Sequence, residues 1–204
     1  MALEEHKMIP PKPSALTQLI ESVSASENPF AATTIQVLHN LQHQHLWTSL
    51  QVHELDAASA TNGLSMLISG ISPHRVYTHP DEQLYMLEQG IREDDLPAER
   101  LFVVPTAHGQ TWSLSRMAAV FDALPRAETS SSEDSSLTYR AEDPEDPEKA
   151  KKLEAYNKRR EQAQATNEWG SRRVLLAMVD RNMGGEGTVV YYVVQEGEVK
   201  PRQN

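Results

Sequence analysis

The sequence contains no cysteine, and this absence removes several kinds of chemistry at once. Disulfide bonds, zinc sites built on thiolates and cysteine nucleophiles are all excluded. No apolar run approaches the ~20 residues that a membrane-spanning helix requires. The first residues also lack the apolar stretch of a secretory signal, so we expect a soluble protein inside the cell.

Basic residues are scarce as well: 19 Lys and Arg stand against 29 Asp and Glu, which gives a formal net charge of −10. This acidic balance argues against a broad electrostatic grip on nucleic acid, although it leaves room for a local basic patch. Hydrophobic residues make up 39% of the 204 residues. That share is low for a globular chain and indicates a folded core diluted by polar segments.

Composition divides the chain into three regions. Residues 1–27 begin with several prolines and predict a flexible tail with a short helix. Residues 28–124 and 169–204 carry regular apolar patterns and predict a single α/β domain. Residues 125–168 form a low-complexity insert. Its acidic first half cannot bury enough apolar area to offset its ordering entropy, so we expect disorder there. Its basic second half predicts a solvated, partly helical segment.

Two helices have clear start signals. One begins at Pro29, directly after an asparagine that suits the capping position. The other begins at Pro80, and Gly90 suits the left-handed position that ends a helix. The spacing of the second helix predicts that Leu84 and Leu87 face the core. These helices would cover the faces of a sheet.

Five apolar runs predict the strands of that sheet, at residues 47–55, 63–70, 101–105, 173–179 and 188–194. The third run should end at Pro105. A further helix, capped by Thr111, should follow it to about Ala123. A glycine-rich turn at 180–187 predicts that the last two strands form an antiparallel hairpin.

Histidines supply the candidates for metal or acid–base chemistry. His39 and His43 lie at i and i+4 on a predicted helix, a spacing that can bind zinc, but no third ligand accompanies them. We interpret them as part of a polar helix face. His108 lies on a loop between a strand and a helix, where catalytic groups often lie. One hypothesis is a stand-alone RNA-cleaving protein that combines His108 with Arg172 or Arg173.

The strand at 188–194 is apolar on both faces. Val189, Tyr191 and Val193 alternate with Val190, Tyr192 and Val194. A strand of this kind is buried on both sides, either inside its own domain or partly against a partner chain. The pattern leaves both readings open.

Basic residues in and after the insert are the candidates for RNA contact. They are Lys158, Arg159, Arg160, Arg172 and Arg173. The basic run could equally neutralise the acidic run that precedes it. The sequence implies no cofactor and no metal ion.

Short motifs occur in a distinctive order along the two domain segments. They lie at residues 47–55, 68–73, 77–82, 104–112, 175–180 and 188–192, and the chain closes with Pro-Arg-Gln-Asn at 201–204. Together they resemble the smallest, non-catalytic subunit of the eukaryotic tRNA-splicing endonuclease, the SEN-fifteen subunit, in a fungal-looking version. The resemblance covers about residues 29–124 and 169–204 and leaves out the insert.

The resemblance implies an α/β, endonuclease-like fold with a mixed sheet flanked by helices. It also implies a structural subunit of a heterotetramer in which two other chains cut the pre-tRNA. Catalytic relatives carry a Tyr/His/Lys triad, whereas the lysine position here falls in Ser171, Arg172 and Arg173. Arginine stays charged and is a poor proton-transfer group, so we expect no catalytic residue in this chain.

The resemblance further implies how the subunits meet. The last strand, mapped onto residues 189–194, would pair with a catalytic subunit. Asp180 and Glu186 of the preceding loop would dock into a basic cleft of a neighbour, and the isolated chain could form a homodimer. The expected location is the nucleus, or alternatively the cytoplasmic face of mitochondria. A self-associating acidic interaction module is the remaining alternative.

Overall fold

A computed structural model describes residues 17–18, 29–54, 66–124, 147–180 and 188–201. Most of the predicted tail, residues 125–146 of the insert and residues 181–187 of the glycine-rich turn lie outside these residues. Of the short helix predicted within the tail, only Thr17 and Gln18 are described, and both are helical. The division of the chain into tail, domain and insert stays a prediction.

The apolar runs pair into one mixed, six-stranded sheet whose spatial order follows the chain order. The strands are β1 (Thr48–Glu54), β2 (Met66–Ile71), β3 (Arg100–Ala107), β4 (Arg173–Asp180), β5 (Thr188–Gln195) and β6 (Glu198–Pro201). Every neighbouring pair is antiparallel except β3 and β4, which run parallel. The predicted α/β class and the β4–β5 hairpin are therefore confirmed, whereas β6 was not predicted.

Helices cover both faces of the sheet. They are α1 (Pro29–His43), α2 (Pro80–Gln89), α3 (Leu114–Ala123) and α4 (Pro147–Thr166), with a 3₁₀ turn at Glu93–Asp95. Val37 and Leu41 of α1 pack against one face, while Val120 and Phe121 of α3 pack against the other. Helices α1 and α3 thus each bury an apolar stripe on the sheet, the usual arrangement of a layered α/β domain, whereas α2 and α4 share a separate apolar cluster.

Two predicted boundaries are wrong by a few residues. Strand β3 continues past Pro105 to Ala107. Proline is tolerated there because the pairing with β2 ends at Val103, so this stretch has only one partner strand. Helix α3 is capped by Ser113, whose hydroxyl accepts a hydrogen bond from the Arg116 amide at 3.2 Å, and not by Thr111.

The orientation predicted for α2 is also wrong. Leu84 and Leu87 are 56% and 78% exposed, while Glu82 and Met86 are buried. The helix turns its carboxylate inward because Glu82 meets Arg75 at 2.9 Å. A buried charge is tolerated when it is paired and hydrogen-bonded.

Helix α4 begins at Pro147, at the end of the acidic half of the insert, and runs through the basic half, but it is not fully solvated. Tyr156 and Ala163 are completely buried, and they share an apolar cluster with Met86 of α2 and with Trp169. The expectation of a solvated helix is therefore wrong for one face. The sequence did not reveal this face because its apolar residues are few: Tyr156 and Ala163 are buried, and Leu153 is partly buried.

The segment that follows α1 contains a residue with an unusual backbone conformation. Leu46 adopts a left-handed conformation with φ of 56°, and the next amide, that of Trp47, donates to the Leu41 carbonyl at 2.9 Å. Left-handed geometry costs a non-glycine residue roughly 1–2 kcal/mol. The Leu46 side chain is nevertheless 65% exposed, so core packing does not explain its presence.

Candidate subunit-docking surface

One face of the β4–β5 hairpin is buried in the core near the start of β4 and the end of β5. Val174 and Val194 lie directly opposite each other, and both are buried against α3. The apolar residues Phe121 and Leu124 complete this part of the cluster. At this end of the hairpin, the sheet face therefore belongs entirely to the chain's own core.

Among the described residues, the helix cover of this face decreases along the hairpin. Leu176 and Tyr192, the next pair on this face, are half-buried. Met178 and Val190 follow, and Val190 is 41% exposed. These four residues form a strip of apolar surface, here named the β4–β5 patch. Contiguous exposed apolar surface of this kind is typical of protein–protein contact sites.

The opposite face of β5 is fully used inside the domain. The Tyr191 hydroxyl donates to Asn40 Oδ1 at 2.6 Å, and the Tyr191 ring meets the edge of His45 with 5.2 Å between centroids. Val193 is buried in the same cluster, and Val189 packs against it. The structure therefore keeps Tyr191, Val193 and Val194 in the core and leaves Val190 and Tyr192 as the candidate docking side chains of β5.

Strand β5 is not the last strand of the sheet, so that part of the sequence-based mapping is wrong. β6 follows it and pairs with residues 192–195, from Pro201 opposite Tyr192 to Glu198 opposite Gln195. The described part of β6 does not extend along residues 188–191. Any pairing of β5 with another chain would use this first half of the strand, next to the patch.

The two acidic residues predicted to dock into a neighbour are only partly described. Asp180 ends β4 opposite Thr188, at the patch end of the hairpin. Glu186 lies outside the described residues. The position of Asp180 next to the β4–β5 patch brings one predicted docking carboxylate to the edge of the candidate surface.

The three candidate RNA-binding residues of α4 differ in their exposure and in their contacts within the domain. Lys158 is exposed, while Arg159 forms an ion pair with Glu168 at 2.5 Å. Arg160 forms an ion pair with Glu99, and burial, with the nearby Arg75 charge, lowers the pKa of Arg160 to about 10. The three residues predicted as one basic run therefore do not share one exposed face.

Arg172 and Arg173 hold the start of β4 in place. An Nη1 atom of Arg172 donates to the Phe121 carbonyl at 2.9 Å, and that of Arg173 donates to the Tyr77 carbonyl at 3.0 Å. The Arg173 guanidinium also stacks over the Tyr77 ring at 5.4 Å. Burial lowers the pKa of Arg173. Both arginines serve the fold, which weakens their reading as RNA contacts.

The catalytic pairing of His108 with Arg172 or Arg173 is not assembled. Because Val103 lies opposite Leu175 and Ala107 opposite Val179, Arg173 lies at the start of the parallel pair and His108 just beyond its end. At ~3.3 Å per residue, these side chains are anchored about 20 Å apart. A general base must lie within hydrogen-bond reach of its partner, so the enzyme hypothesis loses its proposed site.

A serine–histidine pair does occur between β1 and β2. His53 Nε2 lies 2.8 Å from Ser69 Oγ, the contact that activates a serine nucleophile in many hydrolases. Ser69 is completely buried, however, and Arg100 Nη1 donates to the same oxygen at 3.1 Å. The pair therefore fastens β1 to β2 and cannot reach a substrate.

The strongest electrostatic feature is a buried cluster that fastens α4 to α2. Tyr156 Oη donates to Glu82 Oε1 at 2.5 Å, and Arg75 bridges Glu82 and Glu99 at 2.9 and 3.0 Å. Burial opposes the ionisation of Glu82, but the hydrogen bonds from Tyr156 and Arg75 outweigh it, so the pKa of Glu82 lies below its ordinary value. Burial and the bonded carboxylate raise the pKa of Tyr156.

This cluster is buried inside the domain. It holds α4 in place and does not form a site for chemistry on a substrate. Glu82 is 1% exposed and Tyr156 is 0% exposed, so neither can exchange protons with a bound substrate. Among the described residues, no group of three or more His, Asp or Glu side chains could hold a metal ion. None of the described helices is both long enough and apolar enough to cross a membrane.

The fold and the patch define an α/β domain with a mixed sheet, two packed faces and one partly bare hairpin. Comparison with known proteins identifies the family. The model of the Sen15 protein family matches residues 36–143 and 144–204, and the chain therefore belongs to that family. The probable tRNA-splicing endonuclease subunit tsp-1 of Neurospora crassa is 31% identical over 192 residues, which cover 91% of this chain and 71% of the relative.

Proposed function

We propose that this chain is a non-catalytic subunit of a tRNA-splicing endonuclease. Family membership and the similarity to tsp-1 support the assignment to that complex. The chain assembles with other endonuclease subunits and positions a catalytic subunit for excision of the pre-tRNA intron. The stand-alone enzyme is the weaker reading, because His108 and the two arginines lie at opposite ends of β3 and β4.

The observation that carries the docking mode is the progressive loss of cover along the β4–β5 hairpin. Val190 and Tyr192 present apolar surface next to the half of β5 that β6 leaves unpaired in the described chain. A partner strand added along residues 188–191 would extend the sheet and cover the patch at the same time. Asp180, at the end of β4, would face the same partner, and Glu186 would follow in the adjoining loop.

RNA contact is a smaller part of the proposal. Of the five basic candidates, Lys158 and Arg172 are exposed, whereas Arg160 and Arg173 are held by Glu99 and Tyr77. Arg172 is itself bonded to Glu196 and to the Phe121 carbonyl. Two exposed cations contribute little to phosphate binding, so the pre-tRNA would meet this subunit mainly through its partners. We propose a nuclear location for the complex, with the cytoplasmic face of mitochondria as the alternative.

The docking surface is tested with Tyr192→Asp. The variant would place a charge in the middle of the proposed apolar contact, and an unpaired buried charge is costly, so the chain should no longer co-purify with the other endonuclease subunits on co-expression. Leu87→Asp is the matched control, because Leu87 is 78% exposed on α2, outside the patch. Thermal unfolding of both isolated variants checks that each remains folded. Co-purification of folded Tyr192→Asp at the wild-type yield would contradict the docking mode.

The non-catalytic role is tested separately with His108→Ala. The variant should leave the cleavage rate of intron-containing pre-tRNA by the assembled complex unchanged. His108 is exposed on a turn, and its amide, which the substitution keeps, donates to the Val179 carbonyl at 2.8 Å. A large loss of cleavage with normal assembly would return this residue to a catalytic role.

A further inference from the structure

A cleft of about 470 Å³ lies at the start of β1, on the side of the sheet away from the β4–β5 patch. Its apolar walls come from Leu46, Ile71, Leu96 and Leu101. Glu93 and Asp94 of the 3₁₀ turn also line the cleft. The volume falls within the ~300–1,000 Å³ that is typical of ligand-binding clefts.

Leu46 is the first residue that needs an explanation. It holds a left-handed backbone with φ of 56°, a conformation for which glycine is the favoured residue, and its side chain is 65% exposed at the rim of the cleft. The fold pays a conformational cost for a side chain that packs little of its own core. Strain of this kind, kept at a cleft, points to a contact with something outside the chain.

The charged residues that line the cleft indicate the charge of its ligand. Glu99 lines the cleft, but its charge is met by Arg75 at 3.0 Å and by Arg160. Glu93 accepts a hydrogen bond from the Thr78 hydroxyl at 3.0 Å, and neither Glu93 nor its neighbour Asp94 has an ion-pair partner among the described residues. The cleft, which His74 also lines, therefore has two carboxylates that lack an ion-pair partner in the described part of the chain, beside its apolar wall.

We propose that this cleft binds an extended segment of another protein, in which an apolar side chain is followed by Lys or Arg. The apolar side chain fills the space beneath Leu46, and the basic side chain meets Glu93 and Asp94. The negative rim repels RNA phosphates, so a nucleic-acid occupant does not fit. This surface is separate from the proposed docking patch and does not depend on it.

The edge of the sheet favours an extended ligand. Thr48 lines the cleft and begins β1, which is one of the two edge strands of the described sheet. A chain that leaves the cleft along β1 meets the backbone groups of an edge strand, which are the groups that strand addition uses. A compact small molecule would use the cleft alone and would gain nothing from this edge.

The test is selection of a random 12-residue peptide library, displayed on phage, against the immobilised full-length chain. We expect enrichment of peptides in which an apolar residue is followed within two positions by Lys or Arg. A selected peptide should lose ~10-fold in affinity on Glu93→Gln/Asp94→Asn, and its binding should weaken as salt is added.

Leu46→Gly provides a variant whose failure cannot come from misfolding, because glycine suits the left-handed position. It should also lose most of the peptide binding. Tyr192→Asp should bind the same peptides as the wild-type chain, so failure of this proposal is distinguishable from failure of the docking patch. No enrichment, enrichment of acidic peptides, or equal binding to the Glu93→Gln/Asp94→Asn variant would overturn the proposal.

Discussion

The hydroxyl of Tyr156 offers the sharpest test of how α4 is fastened to the domain. Tyr156→Phe removes one oxygen and keeps the ring, which stacks on Trp169 at 6.1 Å between centroids. The lost contact is the hydrogen bond to Glu82 Oε1 at 2.5 Å, between two side chains that are 0% and 1% exposed. Water cannot replace the missing donor at such a site.

The expected cost follows from the environment of Glu82. A hydrogen bond to a charged group contributes about 1.5–3 kcal/mol. Arg75 remains 2.9 Å from Glu82 in the variant, so the carboxylate keeps one cationic partner and the cost stays below that of a stranded charge. We expect the free energy of unfolding to fall by about 2 kcal/mol. With a urea slope of about 2.5 kcal/mol/M, the unfolding midpoint should fall by about 0.8 M.

Urea unfolding followed by tryptophan fluorescence measures this shift, since Trp169 lies in the same cluster. Tyr85→Phe is the matched control: Tyr85 packs against the cluster, half-buried, and its hydroxyl has no hydrogen-bond partner among the described residues. The control should change the free energy of unfolding by no more than about 0.5 kcal/mol. If Tyr156→Phe costs no more than Tyr85→Phe, the buried hydrogen bond does not fasten α4.

Two further predictions concern stability. Leu46→Gly should raise the free energy of unfolding by about 0.5–1 kcal/mol, because relief of ~1–2 kcal/mol of left-handed strain exceeds the ~0.5–1 kcal/mol entropic cost of glycine. Leu46→Ala keeps the strain and should not stabilise, so equal urea midpoints for the two variants would refute this account. Acid should destabilise the domain through Glu82, whose pKa in the folded chain lies below its ordinary value of 4.5. A lowered pKa gives stability that is complete above the ordinary value and is lost as the pH falls through the folded value. Urea midpoints should therefore decline below about pH 4.5, less steeply in Tyr156→Phe, and identical slopes would contradict the role of the hydrogen bond.

Local signals in the sequence predicted the elements that local chemistry controls. Pro29 and Pro80 begin α1 and α2 as expected, and Gly90 ends α2 in a left-handed conformation with φ of 66°. The two-sided apolar pattern of residues 189–194 predicted a strand that is buried on both faces, either inside its own domain or partly against a partner chain. These features depend on residues close together in the chain, so they could be recognised without tertiary information.

Contacts between distant residues account for the errors. Glu82 and Tyr156 are 74 positions apart, and only their pairing explains why α2 turns a carboxylate inward and leaves Leu87 in solvent. A rule that places leucine inside and glutamate outside fails where an arginine and a tyrosine compensate the charge. The candidate patch could not be recognised from the sequence for a similar reason. Only the register of β4 against β5 brings Met178 beside Val190.

The central claim is that this chain works as a non-catalytic member of a tRNA-splicing endonuclease. Its most direct test is native mass spectrometry of the complex purified through a tag on this chain from the source cells. We predict a stoichiometric four-subunit assembly that contains two other subunits with catalytic triads and cleaves intron-containing pre-tRNA. A chain that purifies alone, or only with copies of itself, would contradict the claim.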